Sequence, residues 1–253
     1  MADQQDPPVW AQVGNLNTNI YRGLVSSGEK YHWHFIFRHS DLLISADTDV
    51  GSGIEKILTE IYSKLEYVIE HDRKFKDSLL PVRVKSFYPA EIKRMCLLSS
   101  EFSVGPMAAV AGLVNDFIAE KLQDFCRSLI IENGGDVFIR SDRDIRTGLF
   151  IKNPFFKDRI VLKIDKKYLP CGLCSSSGTF GHSLSLGKCD LAVVMSDSAT
   201  SADAAATAVA NSVSNEEDVQ KSLEHFSTFD SIKGLVIVKD KKIGIWGNLE
   251  LAM

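Results

Sequence analysis

Three short segments of this chain concentrate oxygen ligands, bare backbone and one histidine. They are Asn133-Gly134-Gly135-Asp136, Gly172-Leu173-Cys174-Ser175-Ser176-Ser177-Gly178-Thr179-Phe180-Gly181-His182, and Ser201-Ala202-Asp203-Ala204-Ala205-Ala206-Thr207. Hydroxyls, carboxylates and uncrowded backbone N–H groups are the chemistry of a phosphate or nucleotide site. On a helix, Asp203 and Thr207 are four residues apart, so their oxygens project from one face. Two such donors suit a hard cation such as Mg²⁺, which keeps several waters and completes its shell with substrate phosphate. The alanines between them would let a large group approach closely. The same spacing also fits a first-turn acid favoured by the helix dipole, a threonine bonded back to the preceding turn, and alanines packed tightly on protein.

The run Ser175-Ser176-Ser177-Gly178-Thr179 could cradle phosphate through hydroxyls and N–H groups. It is not a P-loop, because no Lys-Ser/Thr pair closes it. Nor is it a Gly-x-Ser-x-Gly elbow, so a serine hydrolase is disfavoured. His182 is the one histidine in this region, and it reads either as a general base or phosphate ligand or as a side chain packed on its own loop. Cys171-x-x-Cys174 lacks the second ligand pair of a structural zinc site. A thiolate at Cys174 would need a lowered pKa, which the N–H groups of the following serine-rich loop could supply. His32 and His34 share a strand face but have no third ligand nearby, which favours a solvated face.

Taken in order, Gly105-Pro106-Met107-Ala108-Ala109-Val110-Ala111-Gly112, Glu132-Asn133-Gly134-Gly135-Asp136, Cys174-Ser175-Ser176-Ser177-Gly178 and Ala202-Asp203-Ala204-Ala205-Ala206-Thr207 resemble the ApbE superfamily, and more closely its short branch. The resemblance spans about residues 40 to 212. It implies an ApbE-like α+β fold and binding of FAD or FMN with Mg²⁺. It also implies transfer of FMN from FAD onto a threonine of a protein acceptor. By that resemblance Asp203 and Thr207 hold the metal, while Gly134, Gly135, Asp136, Ser175, Ser176, Ser177, Gly178 and Thr179 line the nucleotide. His182 and Cys174 become the candidate catalytic residues. Two departures stand out. Full ApbE enzymes carry His-x-x-Asp-Pro-x-Thr-Gly after the serine loop, where this chain has Gly181-His182-Ser183-Leu184-Ser185-Leu186-Gly187-Lys188, and the 105–112 segment lacks the family's lysine. The short branch further implies an alternative, a sulfur-handling factor in sulfide assimilation into homocysteine with Cys174 as carrier. A non-catalytic binding module is the third reading.

Composition sets the outer limits. The 253 residues, 45% of them hydrophobic, suffice for a large core. A formal net charge of −4 supplies no basic stripe for phosphodiester backbones, so nucleic acid is not an expected partner. The N-terminus has no positive n-region or apolar h-region, and no stretch approaches the ~18–20 apolar residues of a membrane span. A cytoplasmic protein with reduced cysteines is therefore expected, five being an odd number. A homo-oligomer is compatible with this composition.

The elements that must position the site are legible as periodicities. Residues 1–18 read as a polar N-terminal arm, and 19–253 as one domain of α+β class, with mixed or antiparallel sheets layered with helices. Tyr31, Trp33, Phe35 and Phe37 alternate with polar neighbours as a half-buried strand does, and 41–47 reads as its hairpin partner. Ile54, Ile57, Leu58, Ile61, Leu65, Val68 and Ile69 predict a helix over 53–71. Pro106 opens a second helix, carried to about Cys126 by Val110, Val114, Phe117 and Leu122. Asn133-Gly134-Gly135-Asp136 is a turn needing positive φ between two apolar runs. Further strands are expected at 147–152, 159–164, 190–196, 234–239 and 242–247, with helices at 200–212 and 215–226.

Overall fold

Why these residues make these elements is clearest at the first hairpin. In a computed structural model describing residues 28–151, 153–156, 159–178 and 187–252, β1 (Tyr31–Phe37) and β2 (Ser40–Ala46) pair antiparallel, Trp33 opposite Ile44. The aromatic residues of β1 are half-buried on one face, and His32, His34 and Ile36 are exposed on the other. Helix α1 (Gly51–His71) follows and buries Ile54, Leu58, Ile61, Leu65 and Val68, one stripe at helical spacing. Each such side chain stabilises the fold by about 1.5–3 kcal/mol.

Short α2 (Arg73–Asp77) and α3 (Ala90–Glu101) lead to a 3₁₀ turn at Pro106–Ala109, and α4 (Val110–Lys121) continues from it. The strands β3 (Leu129–Asn133) and β4 (Asp136–Arg140) form the hairpin expected from the two glycines, whose φ values are +66° and +107°. Next come β5 (Ile145–Phe150), β6 (Arg159–Ile164), β7 (Cys171–Ser176) and β8 (Leu191–Ser196). The chain then forms α5 (Ala199–Ser212), α6 (Glu216–Phe226), β9 (Ile232–Lys239), β10 (Lys242–Gly247) and β11 (Glu250–Leu251).

Eight strands make one sheet in the order β1-β2-β3-β4-β7-β8-β9-β10, with antiparallel neighbours, and β11-β6-β5 make a second. The large sheet is covered on both faces. Leu42, Ile44, Ile131, Val194 and Ile237 pack under the helices, while Ile130, Ile139, Leu173, Val193 and Val236 pack on Ile145, Leu149, Leu162 and Ile164 of the small sheet. Central strands such as β8 are therefore buried along their whole length and read as continuous apolar runs. The α+β class is as expected.

Two expectations are corrected, and one helix is added. Ser175 and Ser176 belong to strand β7 rather than to a loop, because β4 and β8 flank it and complete its ladder. The second helix ends at Lys121, short of Cys126. Helix α3 was not anticipated at all. Among the described residues no single helix is long and apolar enough to cross a membrane. The N-terminal arm at 1–18, Thr179 and His182 lie outside the described residues.

Candidate functional site

Helix α5 positions the site. Ser198 caps it, its side chain accepting the Ser201 N–H at 3.1 Å, and every residue from Ala199 to Ala210 is buried. Its alanines meet protein, not an open face. An added Cβ on Gly172 of β7 would lie 2.4 Å from Ala199 Cα, and one on Gly112 of α4 would lie 2.2 Å from Ala199 O. The small residues of β7 and α5 thus let helix and sheet close to backbone contact. This corrects the expectation that the alanines admit a large ligand, at least along that side of the helix.

The predicted helical spacing of Asp203 and Thr207 is realised, and both are buried. One Asp203 carboxylate oxygen accepts the Gly112 N–H at 2.9 Å. Burial holds its pKa well above the ordinary carboxylate value, and the neighbouring Asp136 carboxylate adds to the rise. Asp136 ends the Gly134–Gly135 turn. The residue is half-buried, but its carboxyl is closed in by protein, which pushes its pKa up to about 7. Its Oδ1 accepts the Ser175 N–H at 3.3 Å, and the Ser175 hydroxyl donates to Gly135 O at 3.0 Å. The turn, the start of the serine run and the Asp203 helix therefore converge. Ser177 and Gly178 turn away toward Cys189, whose carbonyl accepts the Gly178 N–H at 2.9 Å.

Cys174 sits inside this cluster, with no exposed surface, and its Sγ–H donates to Ala199 O at 3.3 Å. Burial raises its pKa well above that of a free thiol, and Asp136, Asp203 and Asp116 raise it further. The lowered pKa expected of a nucleophile is not found. The carboxylates that surround the sulfur oppose a thiolate.

Two residues of the site were missed in the sequence. Asp116 of α4 accepts the Ala199 and Thr200 N–H groups at 2.9 and 2.8 Å and the Thr200 hydroxyl at 2.5 Å. It places negative charge at the N-terminus of α5, where the helix dipole favours it, although burial raises its pKa. Asn115 donates to Asp136 O at 2.8 Å, yet its buried Oδ1 has no hydrogen-bond partner among the described residues. The buried hydroxyls of Ser176 and Ser201 are likewise unpartnered. The one signal was an Asn-Asp pair inside an apolar helix. Among the described residues no three His, Cys, Asp or Glu side chains form a ready-made metal cage.

Fold and site define an α+β protein with a glycine turn and a buried acidic cluster. Its architecture is similar to the apo flavinyl transferase ApbE of Pseudomonas stutzeri, with a TM-score of 0.55, 10% identity, and 85% of this chain and 93% of that one covered. It is also similar to the flavin transferase ApbE of Vibrio cholerae, with a TM-score of 0.50, 11% identity and coverage of 85% and 96%. At that identity the likeness is one of fold. The sequence profile described as AbpE bacteria matches residues 22–232, and the chain belongs to that family. Among its relatives are UPF0280 proteins of Methanobrevibacter smithii, 34% identical over 226 residues covering 84% of this chain and 94% of the relative, and of Archaeoglobus fulgidus, 36% identical over 223 residues covering 85% and 92%.

Proposed function

We propose that this protein binds a flavin nucleotide, FAD or FMN, together with Mg²⁺, and acts across the FAD pyrophosphate as an FMN transferase toward a protein acceptor. The observation that carries the reading is the convergence of Asp203, Asp136 and Ser175 with the Gly134–Gly135 turn, beside the unpartnered Asn115 Oδ1. A buried carboxylate whose cost of ionisation is raised further by a neighbouring carboxylate, as Asp203 is by Asp136, is relieved by a cation. Their oxygen chemistry suits Mg²⁺, for which one or two carboxylates and substrate phosphates suffice.

In this reading Asp203, through the oxygen not engaged by Gly112, and Thr207 hold the metal. The Gly134–Gly135 turn and Ser175, the part of the 175–179 run that meets it, line the nucleotide. When bound, Mg²⁺ supplies positive charge against the pyrophosphate and steadies the leaving AMP. The acceptor hydroxyl would bond to the phosphorus of the FMN half as the bridging P–O bond breaks. Its proton would pass to a base, for which His182 is the candidate in sequence. A fully buried Cys174 thiol, its pKa raised by burial, favours this reading over the sulfur-carrier alternative.

Mixing the protein with FAD and Mg²⁺, then removing free ligand by gel filtration, tests the reading. A flavin spectrum that co-elutes with wild type and is lost in Asp203→Ala is expected. Colourless wild-type protein would refute it.

A further inference from the structure

We propose that the exposed basic face around α2 is a docking surface for an acidic, leucine-bearing segment of a partner protein. If the transferase reading holds, that partner is the acceptor. Between Arg73 and Lys85 the sequence places five cationic side chains against one acid, Asp77, in a chain whose formal net charge is −4. Among the described residues only Lys85 of these five is neutralised, by buried Asp72, which also accepts the Tyr88 hydroxyl at 2.6 Å. Arg73, Lys74, Lys76 and Arg83 are exposed and form no ion pair with a described residue. Three of these cations, Arg73, Lys74 and Lys76, stand on the one short helix α2, and in an acidic chain they are complementary to an acidic partner.

The patch has shape and apolar anchors as well as charge. Arg73, Lys74, Asp77 and Ser78 line an open cavity of about 360 Å³. Beside it Leu79 and Leu80 are 53% and 68% exposed. They are held there by local bonds. The Ser78 hydroxyl donates to Leu80 O at 2.7 Å, and the Gly105 N–H donates to Leu79 O at 3.0 Å. Exposed leucines on an ordered loop lose little entropy when covered.

The position of the patch links it to the site. Helix α2 packs on the 3₁₀ turn Pro106–Ala109, and that turn packs on α5, the helix of Asp203 and Thr207. A partner seated on α2 is one structural layer from the acidic cluster. A concave, mixed-charge pocket favours a shaped protein segment over a flat lipid surface.

The test uses the full chain and a fluorescein-labelled glutamate-rich peptide with two central leucines, followed by anisotropy. A lysine-rich peptide of the same pattern is the control, and phosphatidylserine vesicles in a sedimentation assay are the second arm. The acidic peptide is expected to bind, more weakly as salt rises, and the control is expected not to bind. The triple variant R73E/K74E/K76E should lose about tenfold or more in affinity. L79S/L80S should weaken binding without changing its salt dependence. Both sets of changes are on the surface, and thermal melts matching wild type establish that they fold. An acidic peptide that fails to bind, or that binds the triple variant equally, overturns the proposal. So does vesicle binding without peptide binding. Flavin titration of the same preparation separates the two readings: flavin bound without peptide sinks the docking surface alone, and peptide bound without flavin upholds the surface while the transferase reading falls.

Discussion

At Asp136 burial pushes a carboxyl pKa to about 7, the Ser175 N–H opposes the shift, and Glu132 adds to it. In the unfolded chain the group returns to about 3.9. The folded state thus binds the proton more tightly, and the stability it confers is lost as pH rises from about 4 through about 7. Asp136→Asn keeps the shape and the acceptor for Ser175 while removing the charge. It is expected to stabilise the metal-free protein by about 1–3 kcal/mol near pH 8 and to be nearly neutral near pH 4. Denaturant melts at the two pH values measure this, and equal effects at both would contradict it. Cys174 is the second residue to test. With no exposed surface and a raised pKa, it fills space beside Ala199 O. Cys174→Ser should leave flavin affinity nearly unchanged, and wild type treated with a persulfide donor should gain no sulfur there by mass spectrometry. Sulfur on Cys174 would restore the carrier reading.

The elements that position the site depend on how closely α4, α5 and β7 approach. Gly112→Ala would set a Cβ 2.2 Å from backbone Ala199 O, where no flexible side chain can yield. The expected cost is about 1–3 kcal/mol, read from the midpoint of urea unfolding; an unchanged midpoint would mean that α4 and α5 are free to separate. This packing also explains what the sequence could and could not disclose. Helix α1, β1 and the β3–β4 turn were legible because side-chain periodicity and glycine chemistry are local. Strand β7 was not, since Gly172, Ser175 and Ser176 are poor strand formers, and the helix backbone that leaves no room for a Cβ at Gly172 is distant in sequence. Asp116 was hidden for a related reason: its partners Ala199 and Thr200 are 83 and 84 residues away. Asp203 and Thr207 were legible as a pair, but not the Gly112 N–H that occupies one carboxylate oxygen.

For the whole molecule, an ApbE-like fold is joined to an altered set of family residues. The segment from Gly181 to Lys188 lacks the Asp-Pro-x-Thr-Gly that follows the histidine in full ApbE enzymes, and 105–112 has no lysine. FMN transfer to a peptide bearing a standard flavinylation motif is therefore expected to be slow even where FAD binds, the transferase proposed here acting on an acceptor of its own. The mass shift of the peptide reports it, and rapid transfer would show that those residues are dispensable. Beneath both readings of activity lies the claim that Asp203 and the Gly134–Gly135 turn form a cation-dependent flavin-nucleotide site. Calorimetric titration of the full chain with FAD tests it most directly, in Mg²⁺, in EDTA, and with Asp203→Ala. Saturable binding heat in Mg²⁺ that is strongly reduced by EDTA and by the substitution is the predicted result. No binding heat under any condition, or equal binding in all three, would contradict it.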